Sequence, residues 1–249
     1  MPRAIPLVLA LILALPLRGD SIAALRTFLV TLRGAEPVSA TIDVSRARKS
    51  SGRFANNDWS GQVQYTVNVD NTGLQITLPQ PLLERSARET REREADPKKM
   101  APTRAAIDEL QPSSIIESLS FAEPLARLLD IATLDSERPA TWQGRPARLL
   151  SLTLKEKLPP QATSIFNVRF QQDHLTLWVA DDHTPIAAER VRKGSARFLF
   201  LRGEMNSKES WTFTRRSDRL VVTRFESSFA GSGFGQRGEG RTLQTVTIR

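Results

Sequence analysis

The chain has 249 residues, of which 40% are hydrophobic, and it carries 35 lysine and arginine residues against 27 aspartate and glutamate residues. That length accommodates one large or two small domains, and the hydrophobic fraction is sufficient for a buried core. There is no cysteine, which excludes disulfides, thiolate metal sites, cysteine nucleophiles and an acylated N-terminal cysteine. The net charge of +8 favours anionic partners only through a weak long-range attraction, and a solubilising surface charge is the simpler explanation.

The first 19 residues have the pattern of an export signal. Arg3 supplies a short positive segment, residues 5–17 are mostly apolar, and Gly19 is a small residue at a possible cleavage edge. The apolar run is shorter than the roughly 20 residues that span a bilayer, although an uncleaved anchor is the alternative. Together with the lack of cysteine, the signal predicts a protein exported to a bacterial periplasm.

The segment after the signal contains one helical pattern and then strand patterns. Leucine and phenylalanine recur at helical spacing first, and alternating apolar residues follow on either side of a turn rich in asparagine and glycine. The predicted elements are a helix at 21–33, strands at 38–48, 61–70 and 74–78, and a turn at Asn71-Thr72-Gly73.

Residues 81–132 predict a helical insertion. Its first helix, 82–95, is rich in arginine and glutamate at i,i+4 spacing and is explained by a solvated helix, with a mobile lid or a partner-docking arm as the alternatives. The helices at 103–110 and 112–133 are far more apolar and must cover a sheet. The residues that would form a lid are Ile115, Ile116, Leu119, Leu125 and Leu128.

The rest of the chain alternates like an antiparallel sheet. Two blocks of strands with helices between them predict an α+β layered fold rather than alternating βαβ units. The predicted strands are 133–142, 146–156, 174–179, 186–192, 196–202, 210–214 and 220–229, with turns at 143–145 and at Lys193-Gly194-Ser195.

No motif predicts a catalytic, metal or cofactor site. Residues 233–238 match G-x-G-x-x-G, but a strand pattern at 242–248 follows where a dinucleotide site needs a helix. A glycine-rich hairpin loop across 231–240 explains the match, and Phe234 and Arg237 could contact a partner there. The two histidines, His174 and His183, are too few to assemble a catalytic zinc site readily.

A set of aromatic residues on the predicted strands is the main candidate for ligand binding. The residues could pack as a core under the helices, or they could line an apolar cavity for an acyl chain, in which each buried methylene contributes about 0.8 kcal/mol. The alternation leaves both interpretations open. The set is Trp142, Trp178, Phe198, Phe200, Trp211 and Phe213.

Two stretches resemble a known family. Residues 175–181, Leu-Thr-Leu-Trp-Val-Ala-Asp, are followed by a turn and by Pro185-Ile186, and this order is similar to the strand–turn–proline–strand signature of periplasmic outer-membrane lipoprotein carriers (LolA-like proteins) and their relatives. The helix at 21–33 and the strand at 40–44 look like that family's opening. The resemblance implies one domain over 20–249, a strongly curved antiparallel half-barrel whose concave face is covered by helices, and carriage or sensing of acylated molecules.

Three hypotheses about function follow. The first is a non-catalytic periplasmic carrier of a hydrophobic or acylated ligand. The second is an envelope module with a solid core that contacts a protein, or an anionic membrane surface, through residues 82–95 and 231–240. The third, a hydrolase, has no supporting motif. A nucleic-acid partner is not expected, because the run at 197–202 lacks the glycines of a strand platform that stacks bases, and a monomer is expected.

Overall fold

The computed structural model describes residues 20–52, 58–155, 167–198, 201–233 and 235–249. The predicted signal segment lies outside these ranges. The described residues form one antiparallel sheet of ten strands and five helices. The strands are β1 (Val38–Gly52), β2 (Trp59–Asp70), β3 (Gly73–Thr77), β4 (Ala132–Trp142), β5 (Arg145–Leu154), β6 (Asn167–Val179), β7 (Pro185–Phe198), β8 (Leu201–Arg216), β9 (Arg219–Gly233) and β10 (Gln236–Ile248).

The order of the strands explains how the helices are placed. Neighbours follow the order β3-β2-β1-β10-β9-β8-β7-β6-β5-β4, so β3 and β4 are the two edges of an open sheet. Helix α1 precedes β1, and the other four helices come between β3 and β4 in the chain, so these four connect one edge of the sheet to the other across a face. The predicted α+β class, a curved antiparallel sheet with helices on one face, is confirmed.

The helices are short apart from the first two. Proline occupies the first turn of α2, α3 and α4, where its missing N–H would have no intrahelical acceptor in any case. Among the described residues, none of these helices combines the length and the apolarity that crossing a bilayer requires. They are α1 (Asp20–Thr31), α2 (Gln80–Ala95), α3 (Pro102–Asp108), α4 (Pro112–Leu119) and α5 (Ala122–Asp130).

Two apolar clusters join the helices to the sheet. In the first, Leu25 and Leu29 of α1 and Leu125 and Leu129 of α5 pack on β5, β6, β8 and β9. Each of these leucines is at most 2% exposed, and full burial of a leucine side chain contributes about 1.5–3 kcal/mol.

The second cluster lies under α3 and α4, toward the β3 edge of the sheet. It joins Ile115 and Leu119 of α4 to Ile42, Val63 and Tyr65 of β1 and β2. The long connection from edge to edge is thus fixed along its length by apolar contacts with the strands beneath it.

The alternation of side chains defines two faces. In β6, Leu175 and Leu177 are fully buried under the helices, whereas His174 and Trp178 point the other way. The strand register extends this division across the sheet, because residues directly opposite each other share a face. We call these the covered face and the helix-free face.

The predicted turn at Lys193-Gly194-Ser195 is wrong. Gly194 is buried in the middle of β7, which runs on to Phe198, and β8 begins at Leu201, so the predicted strand at 196–202 is wrong as well. A β-carbon on Gly194 would lie 3.1 Å from Phe170 Cδ1 and 3.3 Å from Met205 Cγ. The glycine thus makes room for two larger neighbours instead of turning the chain.

The predicted glycine-rich loop at 231–240 is largely strand. Gly231 pairs with Gly238, and Gly240 pairs with Phe229, so β9 and β10 continue almost to the tip of their hairpin. A β-carbon on Gly240 would lie 2.1 Å from Phe229 Cε1. The absence of a side chain there lets the phenyl ring lie across the neighbouring strand. Phe234 is outside the described residues.

The charged helix α2 is mainly solvated, and Ser86 is its buried residue. It is tied to α3 through Glu89, whose carboxylate accepts hydrogen bonds from the Thr103 N–H and the Thr103 hydroxyl, both at 2.7 Å. Side-chain oxygens at a helix N-terminus satisfy donors that the helix itself leaves free. A glutamate from one helix therefore caps the next.

The protein's one tyrosine offers a direct test of the second cluster. Tyr65 is 1% exposed, and burial raises its pKa from 10.0 to about 12, an effect that Arg46 partly opposes. The unfolded chain ionises first, so the free energy of unfolding should fall as the pH rises from about 10 to about 12. Ultraviolet titration of the phenolate should give a midpoint near 12 in the folded protein and near 10 in urea. A folded midpoint near 10 would contradict this packing.

Candidate functional site

Two of the predicted cavity residues lie inside the first apolar cluster. Trp211 and Phe213 of β8 are 8% and 5% exposed. The ring centroid of Phe121, just before α5, lies 5.7 Å from that of Trp211 and 5.4 Å from that of Phe213. Phe225 stacks on Trp211 from β9, with centroids 5.7 Å apart. These rings pack against one another between the start of α5 and the sheet, where the acyl cavity was expected.

The other described members of that set lie on the opposite side of the sheet. Trp142 and Trp178 are half-buried and form a pair on the helix-free face, with ring centroids 4.7 Å apart. The side chain of Phe198 and the whole of Phe200 are outside the described residues. The structure therefore does not bring Trp142 and Trp178 together with Trp211 and Phe213 around one cavity.

Four of the five predicted lid residues lie on the side of α4 and α5 that faces the sheet. Ile115, Leu119 and Leu125 are at most 3% exposed. Leu128 packs against the first cluster, whereas Ile116 is 44% exposed and points outward. Four of the five thus belong to the contact between helices and sheet.

The two histidines make polar contacts to neighbouring strands or turns. Arg148 donates a hydrogen bond of 3.0 Å to His183 Nδ1 and another of 2.9 Å to Glu137. His174 Nε2 lies 3.0 Å from Ser151 Oγ. In the turn before β7, Asp182 accepts hydrogen bonds from the Thr184 N–H and hydroxyl, and the backbone bond is the main cause of its lowered pKa.

A groove of about 570 Å³ lies on the helix-free face. Each of four strands lines it with three consecutive residues: 191–193, 206–208, 228–230 and 239–241. The middle residue of each triplet points to the covered face, so it presents its backbone to the groove while the outer two present side chains. Adjoining hollows of about 460 and 480 Å³ share residues with it and lengthen the groove in both directions along the strands.

Small side chains form part of the floor of the groove. Ser228 and Ala230 of β9 lie in its centre, Ala47 of β1 lies at one side, and Ser45 and Ser210 continue the small residues at one end. Longer side chains would fill this surface, so a strand face with alanine and serine at these positions leaves open space above its backbone. The groove is a consequence of residue size on five adjacent strands.

Basic side chains surround that floor. Lys49 lies 3.9 Å from Glu239, and Lys208 makes a 2.8 Å ion pair with Glu189. Within the part of the chain that the structure describes, three further cations have neither an ion-pair nor a hydrogen-bond partner for their side chains: Lys193, Arg237 and Arg241. Exposed cations without partners can be neutralised by a bound anion with little desolvation cost.

Ion pairs on the covered face hold the strands behind the groove. Arg190 and Asp173 are 11% and 3% exposed and form two hydrogen bonds of 2.6 and 2.8 Å between β7 and β6. Arg192 pairs with Glu209 of β8 at 3.3 Å. These contacts link β6, β7 and β8 on the face behind the groove, and β7 and β8 are two of the strands that line it.

Sequence reasoning did not identify this groove. The pattern is present in the sequence, because small and basic residues occupy the strand positions that alternate with the core residues. Ala47 and Lys49 of β1 are an example. Recognising it requires the pairing of β1 with β10 and of β10 with β9. The pairing of β1 with β10 joins residues almost 200 positions apart, and no local sequence pattern predicts it.

The comparisons with known proteins are sparse. No family model matches the chain, and no curated protein matches it. Among solved structures, the crystal structure of MucB in complex with MucA(peri) matches at 7% sequence identity, with 92% of this chain and 94% of that chain covered and a TM-score of 0.20. A likeness this low carries no argument about this chain.

Replacing Trp211 tests whether the aromatic cluster is a filled core. Trp211→Ala should lower the free energy of unfolding by about 3–5 kcal/mol, since it leaves a void among Phe121, Phe213 and Phe225. Urea denaturation followed by circular dichroism measures the change. Trp142→Ala, at a half-buried site on the helix-free face, should cost clearly less. A loss below about 1 kcal/mol for Trp211→Ala would indicate a ring that lines empty space.

Proposed function

We propose that the chain is a non-catalytic protein of the bacterial envelope that binds a partner on the surface of its sheet. The observation that carries this proposal is the packed aromatic cluster between the helices and the sheet. In it, Phe121 at the start of α5 packs directly on Trp211 and Phe213. Binding must then use an outer surface, and the groove on the helix-free face is the surface with the shape for it. A surface of this kind needs no catalytic group.

Carriage of an acylated ligand is the rival function. It would require an acyl chain to displace side chains that are now buried, and removal of a large aromatic ring from a core costs about 3–5 kcal/mol. The open groove is a poor substitute, because lysine, arginine, serine and asparagine line much of it. Acyl chains gain their binding energy from apolar surroundings.

The location in the envelope is part of the proposal and rests on the signal-like residues 1–19. A periplasmic protein meets other envelope proteins and membrane surfaces, and it does not meet nucleic acid. The positive charge of the chain then acts on anionic groups of those partners.

The test is uptake of an acyl ligand by the purified protein. Native mass spectrometry should show the chain without bound lipid, and a fluorescent fatty-acid probe should show no saturable binding, because the aromatic cluster leaves no room for it. A fatty-acid carrier serves as the positive control. A co-purifying lipid, or saturable displacement of the probe by unlabelled fatty acid, would contradict the proposal and support carriage.

A further inference from the structure

The groove on the helix-free face has a charge pattern that selects among partners. We infer that it binds an acidic, extended segment of a partner polypeptide, and this inference rests on the proposed function. Lys193 of β7 and Arg241 of β10 stand on opposite sides of the small residues of β9, and Arg237 stands at the end of the groove. Their side chains lack partners within the described residues, so carboxylates of a bound chain would supply them.

The spacing of these cations fits an extended peptide. Lys193 and Arg241 lie three strands apart, which corresponds to roughly 15 Å at about 4.8 Å per strand. A polypeptide in an extended conformation advances about 3.3 Å per residue, so acidic side chains about four residues apart match the two cations. A segment of six or so residues is about as long as the groove is wide.

The floor of the groove suits a polypeptide backbone. Ala47 and Ala230 allow close approach, while Ser228 and Asn206 offer polar side chains on the same surface. Peptide N–H and C=O groups need such partners when they leave water. A bound segment could therefore keep its main-chain groups satisfied while its carboxylates meet the cations.

The same lining disfavours other anionic macromolecules. Phe229 is the aromatic residue among the described residues that line the groove, and its ring lies over Gly240 on the covered face. Within the described lining, no ring is therefore placed to stack on bases as single-stranded nucleic acid requires. Glu226 and Glu239 stand among the cations and would repel a polyphosphate with its uniform negative charge. A peptide can place carboxylates only where the cations are.

The experiment is a binding titration with charge-reversed variants of the full chain. The probe is a fluorescent peptide of about ten residues in which glutamate recurs every fourth position between serines, long enough to cross the groove. Lys193→Glu with Arg241→Glu should weaken its binding at least about tenfold at low ionic strength, and added salt should weaken binding to the native chain. Circular dichroism and thermal melting check that the variant folds.

The matched control is Lys98→Glu with Arg138→Glu. These two exposed residues lie outside the groove, and the change in net charge is the same. Equal weakening in both variants, or no binding of the peptide to the native chain, would overturn the inference. Binding of polyphosphate or of phosphatidylglycerol vesicles in place of the peptide, lost in the groove variant, would overturn it as well. Acyl-probe uptake is a separate readout, so failure of the proposed function is distinguishable from failure of this inference.

Discussion

Helices α2 to α5 connect β3 to β4, and these strands are the opposite edges of a ten-stranded sheet. The connecting segment of four helices and their turns crosses one face of the sheet, and it is held there by burial of Leu119, Leu125 and Leu129. Hydrophobic burial on that face therefore decides the whole layout. It gives the sheet one covered face and one face that the helices leave to solvent.

This division separates stability from binding. On the covered face, Phe121 closes over Trp211 and Phe213, and Tyr65 is enclosed by the second cluster. On the helix-free face, alanine and serine leave open space above the strands, and basic side chains lie around that space. A surface built on paired strands keeps its shape before a partner arrives, which reduces the ordering cost of binding.

The sequence predicts elements well where local chemistry determines them. The turn at Gln143-Gly144 was predicted from glycine, and both residues have positive φ, at 49° and 80°, as a tight hairpin requires. The turn predicted at Gly194 is wrong for a reason that no local pattern contains: the glycine is needed by Phe170 and Met205 on neighbouring strands.

The face of the sheet on which each aromatic residue lies also depends on strands that are distant in the chain. Alternation shows that Trp211 and Phe213 share a face, but it does not say whether Trp178 shares it with them. The register of β6, β7 and β8 decides this and sends Trp178 to the helix-free face. The same register assembles the groove from β1 and β7 to β10, which is why the candidate binding surface emerges only from the folded sheet.

Native-state hydrogen exchange tests most directly whether the helices are part of the core or a movable lid. The contact of Phe121 and Leu125 with the sheet predicts that amides of α4 and α5 exchange with opening free energies close to those of β8 and β9, as members of one cooperative unit. Exchange of α4 and α5 through a much less costly opening, while β8 and β9 stay protected, would contradict the account. That result would mean that the helices lift from the sheet, as the lid of a carrier must.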